Sequence, residues 1–449
     1  MKFSYATLLL FGVFAFVSGC TVPPSTAEKQ AQRESTRLGQ VLHSPEVALP
    51  AAQAPLADYV RYAVLRHPQV LASYSDWRAS VLSIAPTRAL PDPQLTFEAD
   101  VADTLMTFMP GLMFDFMTPG KRRAMAEETT AASQVAYRAY VATVLETAAG
   151  VRKAWLELAY VDEALRLRED SIAALDQATA MAGADYVTGR GMSTLESQFR
   201  LENEVAKVRS DLAALGDRKV AARTRFKSAL GLATSDVDPA WPQATLAPTV
   251  LPSEDELWRR TLAANPQLGR MRSMVEMAVA GVAVARKAGT PDFTLGAMAD
   301  LKADPLMIRP TATVSLPIWR EKIRANVAAA EARRDAAVSR VSAEQLSMAA
   351  ALAQMLYMVR ESDRMIAYID TTALPNYQRL ISSVEAGYQS GMTSPGMIPE
   401  TRVMALGMRI ERVVALRDRE NAVTDLLLMT ADIAPAGAPL VADFTSTGR

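Results

Sequence analysis

Apolar residues change their spacing within each half of this chain. From Gln94 to Val101 polar and apolar residues alternate without a break, the period-2 signature of a strand with one wet and one dry face. The stretch from Leu112 to Phe116 puts Leu112, Phe114 and Phe116 on one side and Met113 and Asp115 on the other. Phe293 to Leu301 alternates more loosely, and Thr311 to Leu316 cleanly. Strands are therefore expected at about 94–102, 110–118, 292–302 and 310–318, and their length suits tilted transmembrane strands of about 9 to 11 residues. Elsewhere the period is helical. No proline interrupts the chain between Pro119 and Pro239, and an unbroken helix from Lys121 to Tyr186 would be roughly 100 Å long. Val144, Ala148, Val151, Trp155 and Leu158 recur at alternating spacings of four and three, as do Val341, Gln345, Met348, Leu352, Met355 and Val359. Both series read as coiled-coil seams.

The two halves repeat one another at an interval of about 200 residues. His67-Pro68-Gln69-Val70 recurs as Asn265-Pro266-Gln267-Leu268, and Leu90-Pro91-Asp92 as Thr290-Pro291-Asp292. Lys121-Arg122-Arg123-Ala124 recurs as Lys322-Ile323-Arg324-Ala325, and Tyr186-Val187-Thr188-Gly189 as Tyr388-Gln389-Ser390-Gly391. Each match is short, but all four keep their order. The chain divides into a first repeat at 56–237, a linker at 238–253, a second repeat at 254–432 and a tail at 433–449. Each repeat offers one β-hairpin and one long helical hairpin, with Gly189 and Gly391 placed to break the long helices.

The N-terminus adds a targeting signal. An uncharged run of 13 residues, Tyr5 to Val17, follows Lys2 and is too short to span a bilayer as a helix, which takes about 20 residues. It ends in Val17-Ser18-Gly19-Cys20, which resembles a bacterial lipoprotein lipobox. That resemblance implies a signal peptide at 1–19, acylation of Cys20 and a lipid-anchored linker at 20–55. The plainer reading is an ordinary signal with an incidental thiol. Cys20 is the single cysteine of 449 residues, so no intrachain disulfide can form.

Composition removes other classes. Net charge is −1 with 22% charged residues, so no basic excess points to nucleic acid. With His43 and His67 the only histidines, Ser/His/Asp and zinc chemistry lack their groups, and neither an enzyme nor a cofactor is expected. No Gly-rich phosphate loop follows a strand.

Four amphipathic strands cannot close a barrel, because the smallest useful ones need about eight. Lipid does not tolerate an open sheet edge, so membrane-spanning strands require several chains to pool their hairpins. Two chains would give eight strands and three would give twelve. A polar face carrying Thr96, Glu98, Asp100, Thr311, Thr313 and Ser315 implies a wet lumen and favours the larger ring.

From Leu56 to Thr430 the chain resembles the TolC family of outer-membrane efflux proteins, in its lipoprotein CusC/CzcC-like branch. The resemblance rests on the duplicated unit and on Pro119-Gly120-Lys121-Arg122-Arg123-Ala124 and residues 317–325 at the strand-to-helix passages. Leu374-Pro375 and the Tyr-x-x-Gly turns complete it. It implies a mainly α fold with a small membrane β part, a homotrimer with a 12-stranded β-barrel in the outer membrane, and a periplasmic α-helical tunnel. Substrates would come from an inner-membrane efflux pump through a periplasmic adaptor. Carried over position by position, the adaptor-docking tips are Tyr186, Gly189, Met192, Ser193 and Leu195, with Tyr388, Gly391, Met392 and Thr393 in the second repeat. The candidate gate acid is Glu400, although Ser394 to Pro399 departs from the family pattern. The glycines also read simply as helix-breaking turns.

Met106, Met109, Met113 and Met117 cluster around the first hairpin, and thioethers suit Cu(I). Such methionines also fill apolar faces, and no metal site is assigned from them. The competing class is a periplasmic lipoprotein coiled-coil adaptor without a channel. It would share the signal and the helical hairpins but would have no need of two equivalent β-hairpins.

Overall fold

The structure, a computed structural model, describes residues 22–43, 48–102, 105–188, 195–301, 303, 306–393 and 396–433. The first element among the described residues is helix α1 (Thr26–Leu42), followed by α2 (Leu56–Arg66), α3 (Pro68–Leu82), the short α4 (Ile84–Arg88), strands β1 (Gln94–Ala102) and β2 (Leu105–Phe116), and helices α5 (Pro119–Thr188) and α6 (Leu195–Ala229). The same order then recurs: α7 (Glu254–Ala264), α8 (Pro266–Lys287), β3 (Asp292–Asp300), β4 (Met307–Ser315), α9 (Arg320–Tyr368) with α10 (Leu374–Gln389), and α11 (Met397–Met429). The repeat read from four short motifs is thus a repeat of elements. By their contacts, however, the residues form two compact units that each draw on both repeats. One takes the chain up to His43 with 72–141 and 266–345; the other takes 44–71, 142–265 and 346 onward.

The first unit holds the sheet. All four strands are antiparallel in the order β1-β2-β3-β4, with β2 and β3 joining the two hairpins. The strands occupy the expected places with shifted ends. β2 begins at Leu105 and β4 at Met307, upstream of the prolines at which strands were expected to start. Pro110 sits inside β2 at the point where pairing to β3 stops, and Pro310 lies on the edge strand β4, so neither missing N–H breaks the sheet. The register carries one phase of residues across all four strands. Gln94 pairs with Met113, Met113 with Gly296 and Gly296 with Thr311, while Leu95 pairs with Leu112, Leu112 with Ala297 and Ala297 with Pro310. One face is therefore mostly polar and the other apolar. The apolar face is open: Leu95, Phe97, Leu112, Phe293, Leu295, Ile308 and Val314 are all exposed.

A clasp of arginines ties α1 to the foot of this sheet. Arg88 donates from Nε to Glu28 at 3.2 Å and from Nη1 to the Val22 carbonyl at 3.0 Å. Arg122, almost fully buried, donates to the carbonyls of Arg88 and of Met117 just past β2. Below it Trp77 stacks on Tyr140 with ring centres 5.9 Å apart.

The first expected seam is buried in the second unit and the second only in part, with Val341, Gln345 and Met355 half-buried. Val144, Ala148, Val151, Trp155 and Leu158 face inward on α5, and Met348, Leu352 and Val359 on α9. The long helix of the second repeat runs through a π turn, Ile369–Ala373, just before Pro375. With no N–H and a ring that crowds the preceding turn, proline cannot continue regular α pairing, and the wider turn absorbs the mismatch. Stretches of 49, 5 and 16 residues together match the 70 of α5, so the copies stay in step.

Two junctions show the duplication at atomic detail. His67 ends α2 and Asn265 ends α7, both extended with ψ of 126° and 124°, as residues before proline must be, and Pro68 and Pro266 start the next helices. Asn265 Nδ2 donates to the Met429 carbonyl at 3.0 Å. His67 packs on Gly231 at the equivalent helix end and accepts the Gln69 N–H at Nδ1, 3.2 Å away. Glu420 is fully buried on α11. Its carboxylate receives Arg152 Nη2 at 3.0 Å, Arg419 Nη1 at 2.6 Å, and the N–H and hydroxyl of Thr249 at 2.9 and 2.7 Å, which pins the linker between the repeats.

Glu420→Ala leaves two guanidinium groups around an uncompensated site and should destabilise the unit by about 3–5 kcal/mol, read as a drop in the unfolding midpoint, with Glu420→Gln costing less. His67 makes a second prediction. Burial pushes its imidazole below the ordinary value, while its hydrogen bond with the Ser228 backbone acts the other way. Because folding favours the neutral ring, its contribution to stability is full above the unfolded value of about 6.5 and lost as pH falls below it. His67→Asn, which installs the residue of the second repeat, should remove that loss of stability in acid, measured as the unfolding midpoint against pH.

Candidate functional site

The second Tyr-x-x-Gly turn is built by a helix ending. α10 closes on Ser390, Gly391 follows with φ of +72°, and the next N–H groups turn back: Gly391 donates to Tyr388 at 3.0 Å and Met392 to Gly387 at 2.8 Å. This pair of bonds is a Schellman ending, whose left-handed position glycine occupies without steric cost. Thr393 completes the turn by donating its hydroxyl to the Val384 carbonyl at 3.1 Å. It lies so close to Gly387 that a Cβ there would stand 2.9 Å from its side chain, so Gly387 is a turn residue that sequence reading missed. What the turn offers to solvent is Tyr388 and Met392, the latter 76% exposed. Of the first turn, Gly189, Met192 and Ser193 and the side chain of Tyr186 lie outside the described residues, as does Cys20. Leu195 begins α6 and is exposed.

Glu400 stands in the first turn of α11, where a carboxylate complements the positive end of the helix dipole. It is not alone. Arg200 of α6 donates from Nη2 to both of its oxygens, at 2.9 and 3.1 Å. The pair roofs a cavity of about 170 Å³ floored by Leu175, Leu201, Val403 and Met404. Arg200 is 68% exposed, so water screens the pair. Nothing local in the sequence announces Arg200; it stands one repeat length from its partner. Near by, Arg402 pairs with Glu385 of α10 at 3.2 Å. Among the described residues no group of three or more His, Cys, Asp or Glu could hold a metal ion, and no helix is long and apolar enough to cross a membrane.

Residues 257–431 match the family model described as outer membrane efflux protein. The structure resembles that of CusC at TM-score 0.71 and 17% identity, over 85% of this chain and 92% of that one. It resembles the Campylobacter jejuni CmeC outer membrane channel at TM-score 0.69 and 13% identity, over 87% and 89%. With the open state of the Neisseria gonorrhoeae MtrE outer membrane channel the values are 0.69 and 16%, over 84% and 88%. The chain has the fold of the TolC-family outer-membrane channels. The sequence as a whole matches no curated protein. The family match lies in the second repeat, whereas the TolC-family fold takes in both, including the two β-hairpins and both long helices. Within that fold Tyr388, Gly391, Met392 and Thr393 share one turn, and Glu400 lies a few residues beyond it on the next helix.

A double-mutant cycle with Arg200→Ala and Glu400→Ala should return a coupling of about 0.2–1 kcal/mol at low salt, shrinking toward zero at high ionic strength. A coupling of several kcal/mol that resists salt would mean the pair is buried in the assembled protein.

Proposed function

We propose that this chain is the outer-membrane channel of a tripartite efflux system. Three copies pool their hairpins into a 12-stranded β-barrel, and their long helices continue it as a tunnel through the periplasm. The barrel conducts cargo passively to the exterior, either heavy-metal cations (Cu/Ag or Co/Zn/Cd) or drugs. An inner-membrane pump and a periplasmic adaptor deliver that cargo, and no catalytic step is involved.

One observation carries the reading. Four paired strands present an exposed apolar face and a mostly polar one, and β1 and β4 keep free edges, so a single chain can neither close the sheet nor leave it open in lipid. Three such sheets make a ring wide enough to hold water behind an apolar outer band. The match to outer membrane efflux proteins and the likeness to solved outer membrane channels support the same reading.

The adaptor would dock at the helical tips, against Tyr388 and Met392 and their counterparts Tyr186, Gly189, Met192, Ser193 and Leu195. Gly391 and Thr393, named with them, shape the second turn. Glu400 with Arg200 would hold the tip closed through a contact weak enough for adaptor binding to break. Cys20 would carry acyl chains in the periplasmic leaflet. Val22, two positions on in the chain, is held by Arg88 near the foot of the sheet, which agrees with such an anchor.

Outer-membrane fractions should yield oligomers that resist mild detergent and dissociate on heating, and Cys20→Ser with a working cleavage site should still yield them, more slowly. Recovery of that variant wholly as a soluble periplasmic monomer would overturn the barrel and return the chain to a lipid-anchored adaptor.

A further inference from the structure

We propose that the polar face of the sheet carries a thioether site for a soft monovalent cation, formed by Met113 and Met298 with Met109 and Met307 beside them. The register brings them together from the two repeats. Met298 stands opposite Gly111, and Met113 stands opposite Gly296. A Cβ built on Gly111 would lie 2.7 Å from Met298 Cγ, and one on Gly296 would lie 2.9 Å from Met113 Cγ, so each methionine lies across a glycine of the neighbouring strand. Met113 and Met298 are thus diagonal neighbours, a relation with Cβ atoms about 7–8 Å apart that long side chains can bridge. Met109 lies two positions along β2 from Gly111, the partner of Met298, and Met307 lies two positions along β4 from Arg309, the partner of Met298 on its other side. Met109 is 4% exposed.

The distribution of residue types argues against simple filling. Among the described side chains of this face, every apolar one is methionine. The opposite face uses mainly Leu, Phe, Ile and Val, as at Leu95, Phe114, Leu295 and Ile308, and the register assigns it one methionine position, Met106. If the polar face needed only apolar bulk, the same residues would serve. Thioethers differ from them in one property: the sulfur is a soft, neutral donor that binds Cu(I) or Ag(I) and ignores Mg²⁺ or Ca²⁺. Of the two acids beside the cluster, Asp300 pairs with Arg309 at 3.3 Å, and Glu98 stands opposite Met109. Beside the two glycines the hydroxyl oxygens of Thr96 and Thr311 are buried and without a hydrogen-bond partner. The chain has no other comparable set of soft donors on a sheet face among the described residues. That this face lines a wet lumen rests on the channel reading above; the clustering of the methionines does not.

The test is titration of the purified, detergent-solubilised protein with Ag(I) by calorimetry, and with Cu(I) against a chromophoric chelator. All proteins carry Cys20→Ser to remove the other sulfur of comparable reach. One cation should bind per chain, and Met113→Leu with Met298→Leu should weaken binding by at least about tenfold, whereas exposed Met358→Leu on α9 should leave it unchanged. Leucine keeps the volume, and oligomer formation checks the fold; if the double variant does not assemble, each single substitution should show the loss. Equal binding by wild type and variants, or no binding by wild type, overturns the site. Oligomers that bind no Ag(I) would refute this inference and leave the channel intact, and a soluble monomer that binds it through Met113 and Met298 would do the reverse.

Discussion

A strand surrounded by hydrocarbon must have its N–H and C=O groups paired on both sides, because lipid offers no substitute partner. On the channel reading proposed above, that requirement falls on β1 and β4, the two outer strands of the four-stranded sheet. The duplication doubles the strands available to each chain without closing the sheet. Segregation of residue types across the four strands gives the sheet two unlike faces, with exposed Leu95, Phe97 and Ile308 on one and Thr96, Thr311 and Ser315 on the other.

The two repeats keep one plan and differ where local chemistry permits. His67 and Asn265 fill the same pre-proline position, one with a titrating ring and one with an amide. Gly231 and Ala431 fill the same left-handed helix ending, with φ of 80° and 60°; alanine bears a backbone cost of roughly 1–2 kcal/mol there that glycine avoids. α5 runs straight through, whereas its counterpart spends five residues on a π turn ahead of Pro375 and still ends in register. Duplication therefore preserved lengths and junctions more strictly than residues.

Two ion pairs of similar geometry do opposite jobs because their surroundings differ. Glu420 is fully buried, with both oxygens occupied by two arginines and a threonine, so removing the carboxylate leaves the arginines unbalanced in a medium of low polarity. Glu400 meets Arg200 at comparable distances, but the arginine lies in water and its loss costs little. The linker between repeats is thereby fixed in place, while the contact beside the second turn is easily exchanged.

Much of this was legible in the chain alone. Period-2 alternation located all four strands, because a strand with one wet face must alternate, and the spacing of Val144, Ala148 and Val151 located the seam that the structure buries. Proline misled at Pro110 and Pro310, since sequence shows the missing N–H but not whether a partner strand needed it. Gly387 escaped notice because its role is a close approach by Thr393, a fact of three dimensions. Glu400 could be singled out by its distance from the turn, but Arg200, nearly half the chain away, could not. The sequence by itself determined the repeat, the elements and the two faces, all of which arise from local periodicity. Only the tertiary structure decided which residues meet across the repeats: Arg200 with Glu400, Arg152 and Arg419 with Glu420, Met113 with Gly296. Those meetings depend on register and packing between distant segments, which no local pattern encodes.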